Sequence, residues 1–149
     1  MRVILQRVSK AKLVINQTIY SHIKHGFLVL IGITHDDTNL DVEWLVQKIL
    51  SLRVFSDSNG KMNLSLQDVQ GELLVVSQFT LFASTKKGSR PSFVSSAKPE
   101  IALPIYDMFV ESLKTSGLNV CTGKFGADMK VELENEGPVS IILDSKNKE

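Results

Sequence analysis

Leu73-Leu74-Val75-Val76-Ser77-Gln78-Phe79-Thr80-Leu81 is the stretch on which the reading of this chain turns. Its apolar start fits a buried strand. Ser77, Gln78 and Thr80 then bring hydroxyl and amide groups. Phe79 brings a flat face on which a nucleobase can stack. Where a strand leaves its ladder, backbone N–H groups become free to bind a ligand. The segment reads either as a strand end that carries a site or as an ordinary strand end with turn-forming polar residues.

Outward from this strand, the first third of the chain also reads as strands. Residues 2–8 alternate, 13–15 follow, Asn16-Gln17-Thr18 turn, and 19–23 continue. Phe27–Ile33 is a continuous apolar run suited to a buried central strand. A helix begins near Thr38, a capping residue with Asp41 three positions on, and Val42, Leu45, Val46, Ile49 and Leu52 recur at helical spacing. A hairpin turns at Asn59-Gly60. The strand of the opening segment is expected over Glu72–Phe82, and residues 84–99 form a long loop rich in Ser, Lys, Gly and Pro.

A second helix is expected over 99–116, with Ile105, Met108, Phe109 and Leu113 inward and Gly117 as its stop. Pro104 marks either its true start or a kink. Strands over 120–122, 129–133 and 139–143 finish the chain, and 145–149 read as a frayed tail. This pattern predicts one α+β domain over 1–149: a mostly antiparallel sheet or partly closed barrel with two principal helices. Its edges could close as a barrel or pair with another copy.

Composition narrows the function classes. Apolar residues make up 43% and charged residues 22%, as in ordinary globular domains. No stretch approaches the length of a membrane span, and the apolar run at the N-terminus is too short for a signal peptide. The lone Cys121 cannot form an internal disulfide and suits a reducing compartment, so a cytoplasmic location is expected. Net charge is +1, which argues against nucleic-acid binding by bulk electrostatics but leaves room for a protein that grips a strand end. Lys86, Lys87 and Arg90 form the best basic cluster, readable as a solvated loop or as a phosphate contact.

Near the C-terminus, Asn135-Glu136-Gly137-Pro138-Val139-Ser140 carries a Gly-Pro turn signal, and X–Pro bonds are the common place for a cis peptide. Taken with Ser77-Gln78-Phe79-Thr80-Leu81 about 60 residues earlier, it resembles the D-aminoacyl-tRNA deacylase family. Four further segments support the resemblance in register: Leu5-Gln6-Arg7-Val8, Asn59–Leu64, Lys87–Phe93 and Thr122–Met129. Ser140 stands where the family usually has threonine, which keeps the hydroxyl and loses a methyl.

The resemblance implies a homodimeric enzyme that hydrolyses the ester of D-amino acids, and of glycine, wrongly attached to tRNA. It implies a cis Gly137–Pro138 bond that reaches into the partner's pocket and excludes L side chains, with Arg7 holding this motif. Met129 matches a position near the adenine pocket. Phe79 and its neighbours would receive the terminal adenosine of the aminoacylated 3′ end.

The chemistry the chain offers is restricted. His22, His25 and His35 lack ligand spacing with cysteine or carboxylates, so no metal is expected, and no cofactor. Asp57-Ser58-Asn59-Gly60 resembles a calcium loop, but its glycine comes too early and no glutamate closes it. Gly123-Lys124-Phe125-Gly126 has the spacing of an RNA-clamping loop but lies between strands. Two routes to ester hydrolysis remain. Thr80 could act as an activated nucleophile, although no base lies beside it in sequence. Alternatively, N–H groups at Phe79 and Thr80 could form an oxyanion hole while the substrate's ribose hydroxyl activates water. The rivals from other classes are a non-enzymatic RNA-end or nucleotide-binding module and a plain structural dimer.

Overall fold

The structure, a computed structural model, describes residues 1–148. Its elements are β1 (Arg2–Ile15), β2 (Thr18–Ile23), β3 (Gly26–Gly32), α1 (Asn39–Ser51), β4 (Phe55–Ser56) and β5 (Met62–Leu64). They continue with β6 (Glu72–Ser77), a 3-10 turn (Phe79–Phe82), α2 (Pro99–Lys114), β7 (Val120–Thr122) and β8 (Lys130–Asp144). The main sheet runs β2-β1-β3-β6-β7, with β8 also paired to β1. Around β1 every pairing is antiparallel, whereas β3–β6 and β6–β7 are parallel. Parallel neighbours need long crossovers, and these are where α1 and α2 lie.

The sheet curls until its edges approach. Ser21 Oγ of β2 donates to the Thr122 carbonyl of β7 at 2.9 Å. The result is the expected α+β domain with a mostly antiparallel, partly closed barrel and two helices. β3 explains why an unbroken apolar run was needed. Phe27, Val29 and Ile31 pack with Leu45, Ile49 and Phe109 of the helices, while Leu28 packs with Leu13, Leu74 and Val76 inside the curl. Gly26 permits the close β3–β6 pairing, because a Cβ there would stand 1.9 Å from the Glu72 carbonyl oxygen.

Several expectations are corrected. The strands read over 2–8 and 13–15 are one long β1, which changes faces midway: Val3 and Leu5 pack toward the helices, Val8 and Leu13 into the curl. The change falls at register shifts against β8 between Gln6 and Lys10. The last two strands are likewise one, β8, and Gly137–Pro138 is not a turn between them. Gln6 faces Ser140 and Val8 faces Asn135, so Glu136 to Val139 leave the ladder as a bulge opposite Arg7. The Gly137–Pro138 peptide is cis. The strand expected to reach Phe82 stops at Ser77 and gives way to the 3-10 turn. Finally, α2 stops at Lys114 and runs through Pro104, and Met108 is exposed; the buried residue near it is Tyr106, whose hydroxyl donates to the Val75 carbonyl at 3.0 Å.

Thr38 caps α1 as expected, and the Asp41 carboxylate accepts from its N–H at 2.8 Å. Asp41 also accepts from Ser145 Oγ at 2.7 Å and Lys146 Nζ at 3.1 Å. Ser145 is buried rather than frayed, and the Met1 ammonium donates to it and to Asp37. Glu149, also assigned to the tail, lies outside the described residues. Asp57 accepts from the Asn59 and Lys61 N–H groups, which makes the calcium-loop look-alike a hairpin turn.

Candidate active site

A cavity of about 610 Å³ opens where β6 ends. Ser77, Gln78 and Phe79 form one wall, Met129 and Phe125 another, and Phe93 stands at its mouth. The Gln78 N–H still belongs to the sheet and donates to the Ile31 carbonyl at 2.7 Å. After it the ladder ends. The Phe79 and Thr80 N–H groups open the 3-10 turn and find no acceptor among the described residues. The local sequence produces this: one residue past the last ladder bond the chain tightens into a single turn that aims fresh donors away from the sheet.

Phe79 is 56% exposed, and it lines the cavity. Its orientation is fixed by an edge-on contact to Phe93, with centroids 5.0 Å apart, and Ser96 Oγ donates to its carbonyl at 2.6 Å. Thr80 does not line the cavity, and its hydroxyl accepts from the Gln78 side-chain amide at 2.5 Å. Met129 is seated against Gly123, where a Cβ would come within 2.7 Å of its sulfur.

Gly137, Pro138 and Arg7 form a second group, away from this cavity. Arg7 pairs with Phe27 on β3, whereas Ser77 pairs with Ile31, four residues further along. At the rise of a strand that is about 13 Å. Arg7 is buried; its Nε donates to the Glu136 carbonyl at 3.0 Å and its Nη1 to the Val54 carbonyl. Gly137 and Pro138 themselves are exposed. Lys86, Lys87 and Arg90 also lie off the cavity, at the tip of a loop pinched shut by the Ser84–Ser92 bridge. Among the described residues no three His, Cys, Asp or Glu side chains are grouped to hold a metal. No helix among them is long and apolar enough to cross a membrane.

Several cavity residues escaped the role assignment: Phe93, Ser96, Ala97 and Phe125. Phe93 and Phe125 sit inside segments that carried the family resemblance, which was the available signal. Ser96 and Ala97 had none, because tertiary contacts bring them to the site: the Thr34–Ser96 bridge, the Ser96 bond to the Phe79 carbonyl and the Ala97 bond to the Ile33 carbonyl just past β3.

The curled sheet, paired crossover helices and strand-end cavity define a known fold class. A solved structure described as a probable eukaryotic D-amino acid tRNA deacylase superposes with a TM-score of 0.83 over 95% of this chain and 97% of its own, at 20% identity. One described as c-Myc DNA unwinding element binding protein gives 0.91 at 41% identity, covering 97% and 98%. The family model for D-Tyr-tRNA(Tyr) deacylase matches residues 4–144. The D-aminoacyl-tRNA deacylases of Cytophaga hutchinsonii and Flavobacterium psychrophilum are 57% and 55% identical, over 98% and 100% of both chains respectively. The chain belongs to the D-Tyr-tRNA(Tyr) deacylase family.

Proposed function

We propose that this chain, as a D-aminoacyl-tRNA deacylase, hydrolyses the ester between a D-amino acid and tRNA by backbone and substrate-assisted catalysis. Membership of the family makes it a hydrolase of the aminoacyl-tRNA ester bond. The observation that carries the mechanism is the pair of N–H groups at Phe79 and Thr80 that find no acceptor among the described residues, at the start of the 3-10 turn beside the cavity. Such donors stabilise the oxyanion of a tetrahedral intermediate, and losing one typically costs about 3–4 kcal/mol. The exposed Phe79 face, with Met129 opposite, receives the terminal adenosine. The ribose hydroxyl beside the ester activates the attacking water. Lys86, Lys87 and Arg90 would meet phosphates of the acceptor strand, and mischarged glycine, lacking a side chain, would enter like the D-substrates.

Chirality is selected by exclusion. The Gly137 and Pro138 carbonyls of a second subunit occupy the volume an L side chain needs. The distance between Gly137–Pro138 and the cavity of the same chain supports this cross-subunit reading, as does the outer edge of β8, a strand that among the described residues pairs only with β1. The test is to mix a variant inactivated in the Phe79 region with a Pro138 variant that has lost discrimination. Subunit exchange should pair an intact cavity with an intact Gly137–Pro138 and so lower hydrolysis of the L-ester while D-ester turnover is kept. A fully active monomer by light scattering at micromolar concentration would refute the arrangement. The similarity to a protein described as binding a DNA element keeps a binding module as the second reading. Such a module would bind aminoacyl-tRNA and release it intact.

A further inference from the structure

Glu136, the residue before Gly137–Pro138, is held at two points from two different elements. Its carbonyl accepts from Arg7 Nε of β1. Its carboxylate lies 3.4 Å from His25 Nδ1, at the turn between β2 and β3, and 4.0 Å from Arg7 Nε. The bulge is also spanned by the Val139 N–H, which donates to Asn135 Oδ1 at 2.9 Å. The contact to His25 adds a restraint on the Glu136 side chain from a separate element.

His25 is well backed for this role. Its carbonyl accepts from the Glu72 N–H at 2.9 Å, which fixes its main chain to β6. Its ring stands edge-on to Phe55, with centroids 5.0 Å apart. Phe55 is 1% exposed and packs on Phe27, so the imidazole leans on the core. The Glu72 carboxylate accepts from the Lys24 N–H at 2.7 Å, and the carboxylate that lies against the ring is that of Glu136. To serve it, Nδ1 must carry a proton, in the neutral tautomer or the imidazolium.

We propose that His25 is a positioning residue that acts through the Glu136 carboxylate to hold Gly137–Pro138 still, so that rejection of L-aminoacyl esters depends on it. The inference rests on the reading of Gly137–Pro138 as the chirality-selecting element. Exclusion by volume works only if the excluding wall does not yield. A D-substrate does not press on that wall, so its turnover is indifferent to the tie. Both side chains are about half exposed, so their contact contributes little to folding stability.

The test uses the full-length protein and its His25→Ala, His25→Asn, Glu136→Ala and Pro138→Ala variants. Hydrolysis of D-Tyr-tRNA and L-Tyr-tRNA is followed alongside thermal unfolding. His25→Ala should raise the L rate by about 2- to 5-fold, the scale of one exposed ion pair. The D rate and the unfolding midpoint should hold. His25→Asn, which keeps an N–H near the Nδ1 position, should recover much of the discrimination. In the Glu136→Ala background, His25→Ala should add nothing. An unchanged L rate in His25→Ala, while Pro138→Ala raises it, overturns the role of His25 alone. An unchanged L rate in Pro138→Ala overturns the underlying reading. D and L rates that fall together with the midpoint would show a merely structural role and equally reject the proposal.

Discussion

Arg7 Nε donates to the Glu136 main-chain oxygen at 3.0 Å, across the point where β8 leaves its ladder. With Nη1 on the Val54 carbonyl, one buried guanidinium joins three separate segments of the chain. Only a planar fork of donors does this; an ammonium is a point.

Arg7→Ala should therefore destabilise the fold by on the order of 2–4 kcal/mol, since two charge-assisted bonds are lost and their carbonyls left behind. It should also increase hydrolysis of L-aminoacyl-tRNA. Arg7→Lys should recover part of the stability and little of the selectivity. Thermal unfolding combined with D and L rates checks both.

Thr80→Ala should stay within roughly threefold of the parent rate, because it keeps the backbone N–H, whereas loss of a true nucleophile costs about 10⁴-fold or more. A substrate whose terminal ribose lacks the free hydroxyl should react far more slowly. A trapped acyl-Thr80 adduct, or normal turnover of the deoxy substrate, would show that water is not activated by the substrate.

Gly123→Ala would bring a methyl within 2.7 Å of Met129 Sδ and 3.1 Å of Leu13 Cδ1. The thioether yields easily, so the stability loss should stay below about 1.5 kcal/mol. The displaced Met129 lines the cavity, so KM should rise roughly 3- to 10-fold with kcat nearly kept. Steady-state kinetics beside a melting curve decide it; an unchanged KM would remove Met129 from the substrate pocket.

Asp41 carries the clearest pH signature. Burial alone would raise its pKa, but hydrogen bonds from Ser145, the Thr38 N–H and Lys146 prevail and hold the carboxyl well below its usual range. With the folded value below the unfolded one near 3.9, the carboxylate stabilises the fold above about pH 4, and this is lost as pH falls through the folded value. Asp41→Asn should lower stability at neutral pH and flatten the acid loss. Urea midpoints measured from pH 7 down to 2 would show it.

Local signals read well from the sequence. The apolar run of β3, the Thr38 cap of α1 and the Asn59-Gly60 hairpin each announce themselves within a few residues, because propensity and pattern agree there. What failed was anything set by distant partners. Nothing local says that residues 2–15 form one strand, since its change of face at Val8 follows from the bulge in β8. The 3-10 turn at Phe79 looked like more strand because three of its four residues, Phe79, Leu81 and Phe82, are apolar. The pocket was legible in part, with Met129 placed near it by the family resemblance. Ser77, Gln78 and Phe79 are contiguous, but Ser96, Ala97 and Phe125 reach the cavity through tertiary pairing that no periodicity encodes.

Hydrolysis of D-Tyr-tRNA against L-Tyr-tRNA by the purified protein under single-turnover conditions is the decisive measurement. Rapid release of D-tyrosine is expected, with an L-ester that survives near its spontaneous rate. Equal rates on the two enantiomers would contradict selection by Gly137–Pro138, and tight binding with no cleavage of either would contradict the enzyme itself.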